Sequence, residues 1–189
     1  MSLLARCLEP PSYGYQRNGE LYIPTKKELF KEFASRLNIF ADRKNWLAAF
    51  SWASTWIMLV PMIIFLTQYF SWPLFIIGFI YSMVLLGSHG TIYYHRYSTH
   101  RAYQFKHPFW RFLVKHMMVK VIIEEAYVVS HHVHHAFSEK PGDPYNVNAG
   151  WWYCFLADAI HQPIKRDLSE ADYHRVTAML NHTGIRMNS

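Results

Sequence analysis

From Asn45 to His95 the chain runs for 51 residues without a single Lys, Arg, Asp or Glu. A fold of 189 residues has too little interior to bury two apolar helices of that length on all sides. Trp46 to Phe70 alone is 25 residues, about 37 Å as a helix and longer than the ~30 Å hydrocarbon core of a bilayer. Ser71-Trp72-Pro73 interrupts it, since Pro cannot continue a helical ladder. Leu74 to Tyr94 is a second run of spanning length. The turn is uncharged, whereas Arg36, Arg43 and Lys44 precede the pair and Arg96, Arg101 and Lys106 follow it. By the positive-inside tendency both flanks are cytosolic. The expectation is an all-α chain built on an integral membrane helical hairpin of two spans, with interfacial and cytosolic helices around it.

The remainder is polar, which explains how the mean hydropathy reaches −0.06. Residues 1–24 read as a loop-rich lead. Thr25 and Glu28 make a capping box, and Leu29, Phe30, Phe33, Leu37 and Phe40 recur at helical spacing among Lys27, Lys31, Glu32 and Arg36. That pattern predicts an amphipathic helix whose apolar face meets the bilayer surface. Phe109 to Val129 carries Arg111, Lys115, His116, Lys120 and Glu124 along one stripe and reads as a helix lying at the interface. Glu124 and Glu125 are expected to face water or headgroups, the alternative being that they orient an imidazole. Lys140-Pro-Gly-Asp-Pro144 is a turn, and Gly150-Trp-Trp-Tyr-Cys-Phe-Leu156 is an aromatic segment of anchor type. Asp167 and Glu170 are spaced for a last helix start, with Gly184 as its stop. The expected organisation is residues 1–44 as lead and interfacial helix, 45–94 as hairpin, 95–163 as a histidine-rich region and 164–189 as a helical tail.

Composition removes several classes. With 17% aromatic and 51% hydrophobic residues the chain is not intrinsically disordered, and two cysteines, Cys7 and Cys154, exclude a disulfide scaffold. The net charge of +6 belongs to residues flanking membrane segments, so anionic lipids or an acidic protein are the expected partners and nucleic acid is not.

Twelve histidines are present, and six of them fall into two groups. The first is His95-Arg-Tyr-Ser-Thr-His100, where the second span emerges on the basic side. The second is His131-His-Val-His-His135. On an α-helix His134 and His135 lie about 60° and 40° to either side of His131, so the three imidazoles fan over one face. His95 and His100 are about 140° apart on an ideal α-helix and converge only if the helix ends or loosens between them. Clustered neutral imidazoles suit iron, zinc, copper or nickel. His107, His116, His161, His174 and His182 are isolated and read as structural.

The stretch His95–Tyr103 resembles the first histidine box of membrane fatty acid desaturases, especially the stearoyl-type acyl-CoA Δ9 group. His131–Asn146 resembles the second box, including Asp143-Pro144 and Asn146, with His132 where that group usually has Arg. The resemblance implies a non-haem di-iron centre on the cytosolic side, with His95, His100, His131, His134 and His135 as iron ligands. It further implies O2-dependent introduction of a double bond into an acyl-CoA or acyl-lipid, electrons from cytochrome b5 or a ferredoxin-like donor, and a multi-pass protein of the endoplasmic reticulum or bacterial inner membrane. The family's third box and second hairpin have no counterpart, so the expectation is an N-terminal portion or truncated member, with oligomerisation supplying the missing ligands as the second explanation. The alternatives are a membrane di-iron hydroxylase or ketolase, and an inactive paralogue serving as a membrane interaction subunit.

Overall fold

The computed structural model describes residues 3–118 and 122–180. In chain order these form α1 (Leu3–Cys7), a hairpin of β1 (Gln16–Arg17) and β2 (Glu20–Leu21), α2 (Lys26–Leu37), α3 (Asn45–Gln68), α4 (Trp72–Leu85) and a π-helical segment (Leu86–Thr99). Then follow α5 (Pro108–His116), α6 (Glu124–Phe137), a 3-10 turn (Val147–Ala149), α7 (Trp151–Phe155), α8 (Ala157–Ile160) and α9 (Glu170–Leu180). The all-α expectation holds. Two compact units emerge: Phe50–Ile122, the apolar unit, and Met1–Ala49 with Ile123–Ser189, the discontinuous unit.

The apolar unit carries most of the hairpin. α3, and α4 continued by the π-helix to Thr99, are both long and apolar enough to cross a membrane, and only 11% and 6% of their most apolar windows are buried. A core helix of a water-soluble fold would be covered instead. Ser71 caps α4 through Leu74 N at 3.4 Å, with Pro73 in the first turn where its missing N–H costs nothing. The hydroxyls along the hairpin turn back on their own helices: Thr67 donates to the Ile63 carbonyl at 2.7 Å and Ser82 to the Gly78 carbonyl at 2.8 Å. That is how polar side chains are satisfied where no water is at hand. Arg at Leu59 or Ile63 is expected to oppose insertion by roughly 2.5–3.5 kcal/mol each. A glycosylation-site insertion assay reads this directly, and undiminished insertion of the double variant would contradict the span.

The discontinuous unit has its core where α1, α6 and α9 meet: Cys7, Leu8, Val128, Val129, Val133, Val176 and Leu180, with Ile164 beside them. Arg6 on α1 grips Asp172 on α9 with two hydrogen bonds of 2.9 and 2.8 Å, and Leu8 bridges Ile164. The start of the lead, α1 and Leu8, is therefore part of the core, while most of the rest to Thr25 is loop as expected; a five-residue helix is too short to show a period. α2 has the expected capping box at Thr25 and Glu28. It packs on α7 and α8 and turns inward not only Leu29 but Glu32 and Arg36, which pair at 3.0 Å.

Two further expectations change. The Phe109–Val129 stripe is not one helix: α5 ends at His116 and α6 begins at Glu124 in the other unit. Lys120 lies outside the described residues. Glu124 is buried and Glu125 half-buried, not solvent-facing. At the chain's far end, Ser169 receives the Asp172 N–H at 3.2 Å and starts α9 at Glu170; Gly184 and His182 lie outside the described residues.

Candidate metal centre

In the apolar unit the first box sits at the end of the π-helix. Its i→i+5 ladder stacks residues five apart on one face, and the His100 N–H bonds the His95 carbonyl at 3.1 Å. The loosening that an α-helix would have needed is thus built in. The two Nε2 atoms are 3.1 Å apart. Tyr93, Tyr94 and Tyr97 are buried beside them, and the Thr99 hydroxyl donates to the Tyr94 carbonyl at 2.9 Å. Arg101, at φ 53°, then takes the left-handed conformation that ends the helix.

In the discontinuous unit the second box lies on α6. His131 and His135, one turn apart, bring their Nε2 atoms to 3.2 Å, and Tyr127 stacks on His131 with rings 7° from parallel. His134 is their neighbour, at ring-centroid distances of 6.1 and 5.7 Å, but its Nδ1 turns to Asp143 Oδ1 at 2.8 Å. His132 is half-buried.

The donor set can be tested against a metal by its bite. Two nitrogens bound to one ion at right angles, each ~2.1 Å away, lie about 3 Å apart. Both pairs match that spacing. Two neutral imidazoles with lone pairs facing at this distance repel unless one carries the proton or a cation lies between them. The nitrogens of each box therefore fit a metal ion.

Asp143 builds the support for His134. Fully buried, it accepts the Glu139 N–H at 2.9 Å on Oδ2, and on Oδ1 the Tyr145 N–H at 2.9 Å together with His134 Nδ1. Gly142, at φ 99°, supplies the left-handed turn that brings the carboxylate round. Asn146, equally buried, donates to the Lys140 carbonyl at 3.2 Å and closes the loop. A carboxylate on Nδ1–H fixes the tautomer and leaves Nε2 as the ligating nitrogen.

The isolated histidines mostly have structural duties. His107 caps α5 through Phe109 N at 3.1 Å, His116 packs on Phe112, and His174 is exposed near Glu170. His161 is wholly buried, stacked on Tyr153 at 3.9 Å with its Nε2 3.1 Å from the Tyr13 hydroxyl; burial pushes its pKa down to about 3. Cys154 is half-buried, its thiol directed at the Tyr145 and Asn146 carbonyls, and Cys7 is buried and free.

His89 is the residue that sequence reasoning passed over. It is 2% exposed within the π-helix, with Nδ1 2.9 Å from the Val114 carbonyl and Nε2 buried without a hydrogen-bond partner. It stands outside both boxes, and nothing in its spacing marks it.

No family model and no solved structure matches the chain. The chain is similar to the sn-1 stearoyl-lipid 9-desaturase of Synechocystis sp., 26% identical over 164 residues, which cover 80% of this chain and 50% of that protein. It spans about half the length of the curated relative it matches.

Proposed function

We propose that this chain, a distant relative of the fatty acid desaturases, carries iron-binding histidines of an integral membrane acyl desaturase. The observation that carries the reading is the facing of imidazole nitrogens within each box at the bite of a single ion. The similarity to a stearoyl-lipid desaturase over most of the chain supports it. His95, His100, His131, His134 and His135 would hold the metal, a non-haem di-iron centre, which when bound supplies the activation of O2. These five nitrogens are fewer than two irons take up, so further ligands complete the site.

The protein's own groups present imidazole nitrogens and hold a proton at a known atom. Asp143 keeps the His134 proton on Nδ1. The two spans would keep the chain in the bilayer from which a long acyl substrate is drawn, and the basic flanks favour the cytosolic side for the boxes. The overall reaction removes two hydrogens from adjacent carbons to form C=C. With one O2, two electrons and two protons from solvent it yields two waters. The electrons come from a donor such as cytochrome b5 or a ferredoxin. The relative's name specifies a lipid-linked acyl chain, which favours an acyl-lipid over an acyl-CoA.

The test is the fatty acid profile of a host with saturated acyl lipids expressing a full-length counterpart that contains these boxes. A new monounsaturated chain is expected, abolished by His135→Ala with membrane insertion intact. A hydroxylated or oxidised product alone would move the protein to the hydroxylases and ketolases. Unchanged lipids despite a loaded metal site would support the interaction-subunit reading.

A further inference from the structure

The discontinuous unit displays an aromatic patch assembled from two segments far apart in the sequence. Phe30 on α2 lies 5.2 Å from Trp152 on α7, Trp152 lies 4.6 Å from Trp151, and Trp151 stacks on Phe155 at 4.7 Å with the rings 11° from parallel. Four rings so form one continuous surface. It is not a core: Trp151 is 64% exposed, Phe155 50% and Phe30 44%. A contiguous exposed aromatic surface marks an interaction site.

Its rim identifies the partner. On α2, Lys26 and Lys27 lie about 40° and 60° to either side of Phe30, both exposed, and no carboxylate among the described residues pairs with them. Glu28 points elsewhere, engaged with Thr25 and Tyr22, and Glu32 is buried against Arg36. Aromatic rings beside unpaired lysines, without acid, match the headgroup layer of an anionic bilayer, where rings sit at the interface and ammonium groups meet phosphate.

A second observation ties the patch to a membrane. The Asn45 side chain, in the first turn of α3, donates to the Ser35 carbonyl at 3.1 Å and the Asn38 carbonyl at 2.8 Å. The C-terminal end of α2 is thereby clipped to the start of the first span within the same unit. A helix held at the mouth of a span lies where headgroups are.

We infer that the Phe30–Trp151–Trp152–Phe155 patch, with Lys26 and Lys27, docks the discontinuous unit onto an anionic lipid surface. The inference rests on the membrane reading of the hairpin and not on the chemistry at the histidines. The patch thus fixes the height of α7, and with it the loop carrying Asp143, above the bilayer.

The test places a nitroxide at Phe155→Cys in a Cys154→Ser background, Cys7 being buried, in the full chain in nanodiscs. Power saturation compares collision with oxygen and with a water-soluble nickel chelate. In phosphatidylcholine/phosphatidylglycerol discs the label is expected to be shielded from nickel and open to oxygen. Lys26→Glu/Lys27→Glu should restore nickel access several-fold, since each lysine at such a surface strengthens attraction about fivefold. Glutamates suit the first turn of a helix, so this variant keeps α2. Full nickel access in both anionic and neutral discs would overturn the inference, and so would shielding from both probes, which means a protein partner or a second copy covers the patch. Should the labelled chain not fold, quenching of the unlabelled chain by brominated lipids decides. Trp151→Phe is expected to reduce that quenching, and equal quenching would overturn the proposal.

Discussion

Replacing Asp143 by Ala is expected to destabilise the discontinuous unit by about 3–5 kcal/mol, the range for removing one partner from a buried charged network. The size follows from what the carboxylate holds. Two backbone N–H groups, of Glu139 and Tyr145, and one imidazole lose their acceptor at once around a fully buried carboxylate. Denaturant unfolding of the full chain in detergent reads the change. Asp143→Asn keeps the shape and one acceptor oxygen, so it should fall between wild type and Ala. In the iron-loaded chain the same Asn variant is expected to weaken metal affinity 10–100-fold, as loss of a carboxylate behind a ligating imidazole does. Equal stability of all three chains would mean that this loop is held by Asn146 and the turn alone.

The second large effect is a pH dependence. His161 is buried among Tyr13, Tyr15 and Tyr153, and burial, followed by the Arg36 charge, lowers its pKa from 6.5 to about 3. The unfolded chain binds the proton near pH 6.5 and the folded chain does not. Stability is therefore complete above that value and falls as pH drops toward 3. The loss from this group is about 2 kcal/mol at pH 5 and about 5 kcal/mol in the limit. His161→Phe keeps an aromatic ring against Tyr153 and removes the titration. Its unfolding midpoint should change less between pH 7 and pH 5 than that of the wild type, and parallel curves would contradict the assignment.

The hairpin was legible because a charge-free run of spanning length has one common solution, and the capping box at Thr25 because its two residues act locally. The His131–His135 pair followed from helical spacing. The convergence of His95 and His100 needed a backbone that a histidine count does not announce: the π-helix changes which residues share a face. His134 turned to Asp143 because an acceptor nine residues away in the chain is brought back by a turn at Gly142, and periodicity along α6 carries no such information. The same holds for the N-terminal residues. Cys7 and Leu8 enter the core through contacts with α6 and α9, which are long-range in sequence. His89 illustrates the reverse case, an ordinary-looking residue whose burial and single hydrogen bond become visible only in three dimensions.

The central claim is that the boxes bind iron. The most direct measurement is the iron retained per chain after anaerobic loading with ferrous iron in detergent and gel filtration, by elemental mass spectrometry. The wild-type chain is expected to retain iron, and His131→Ala/His135→Ala to retain markedly less at unchanged helix content. A wild-type chain that holds no more iron than the double variant would contradict the account.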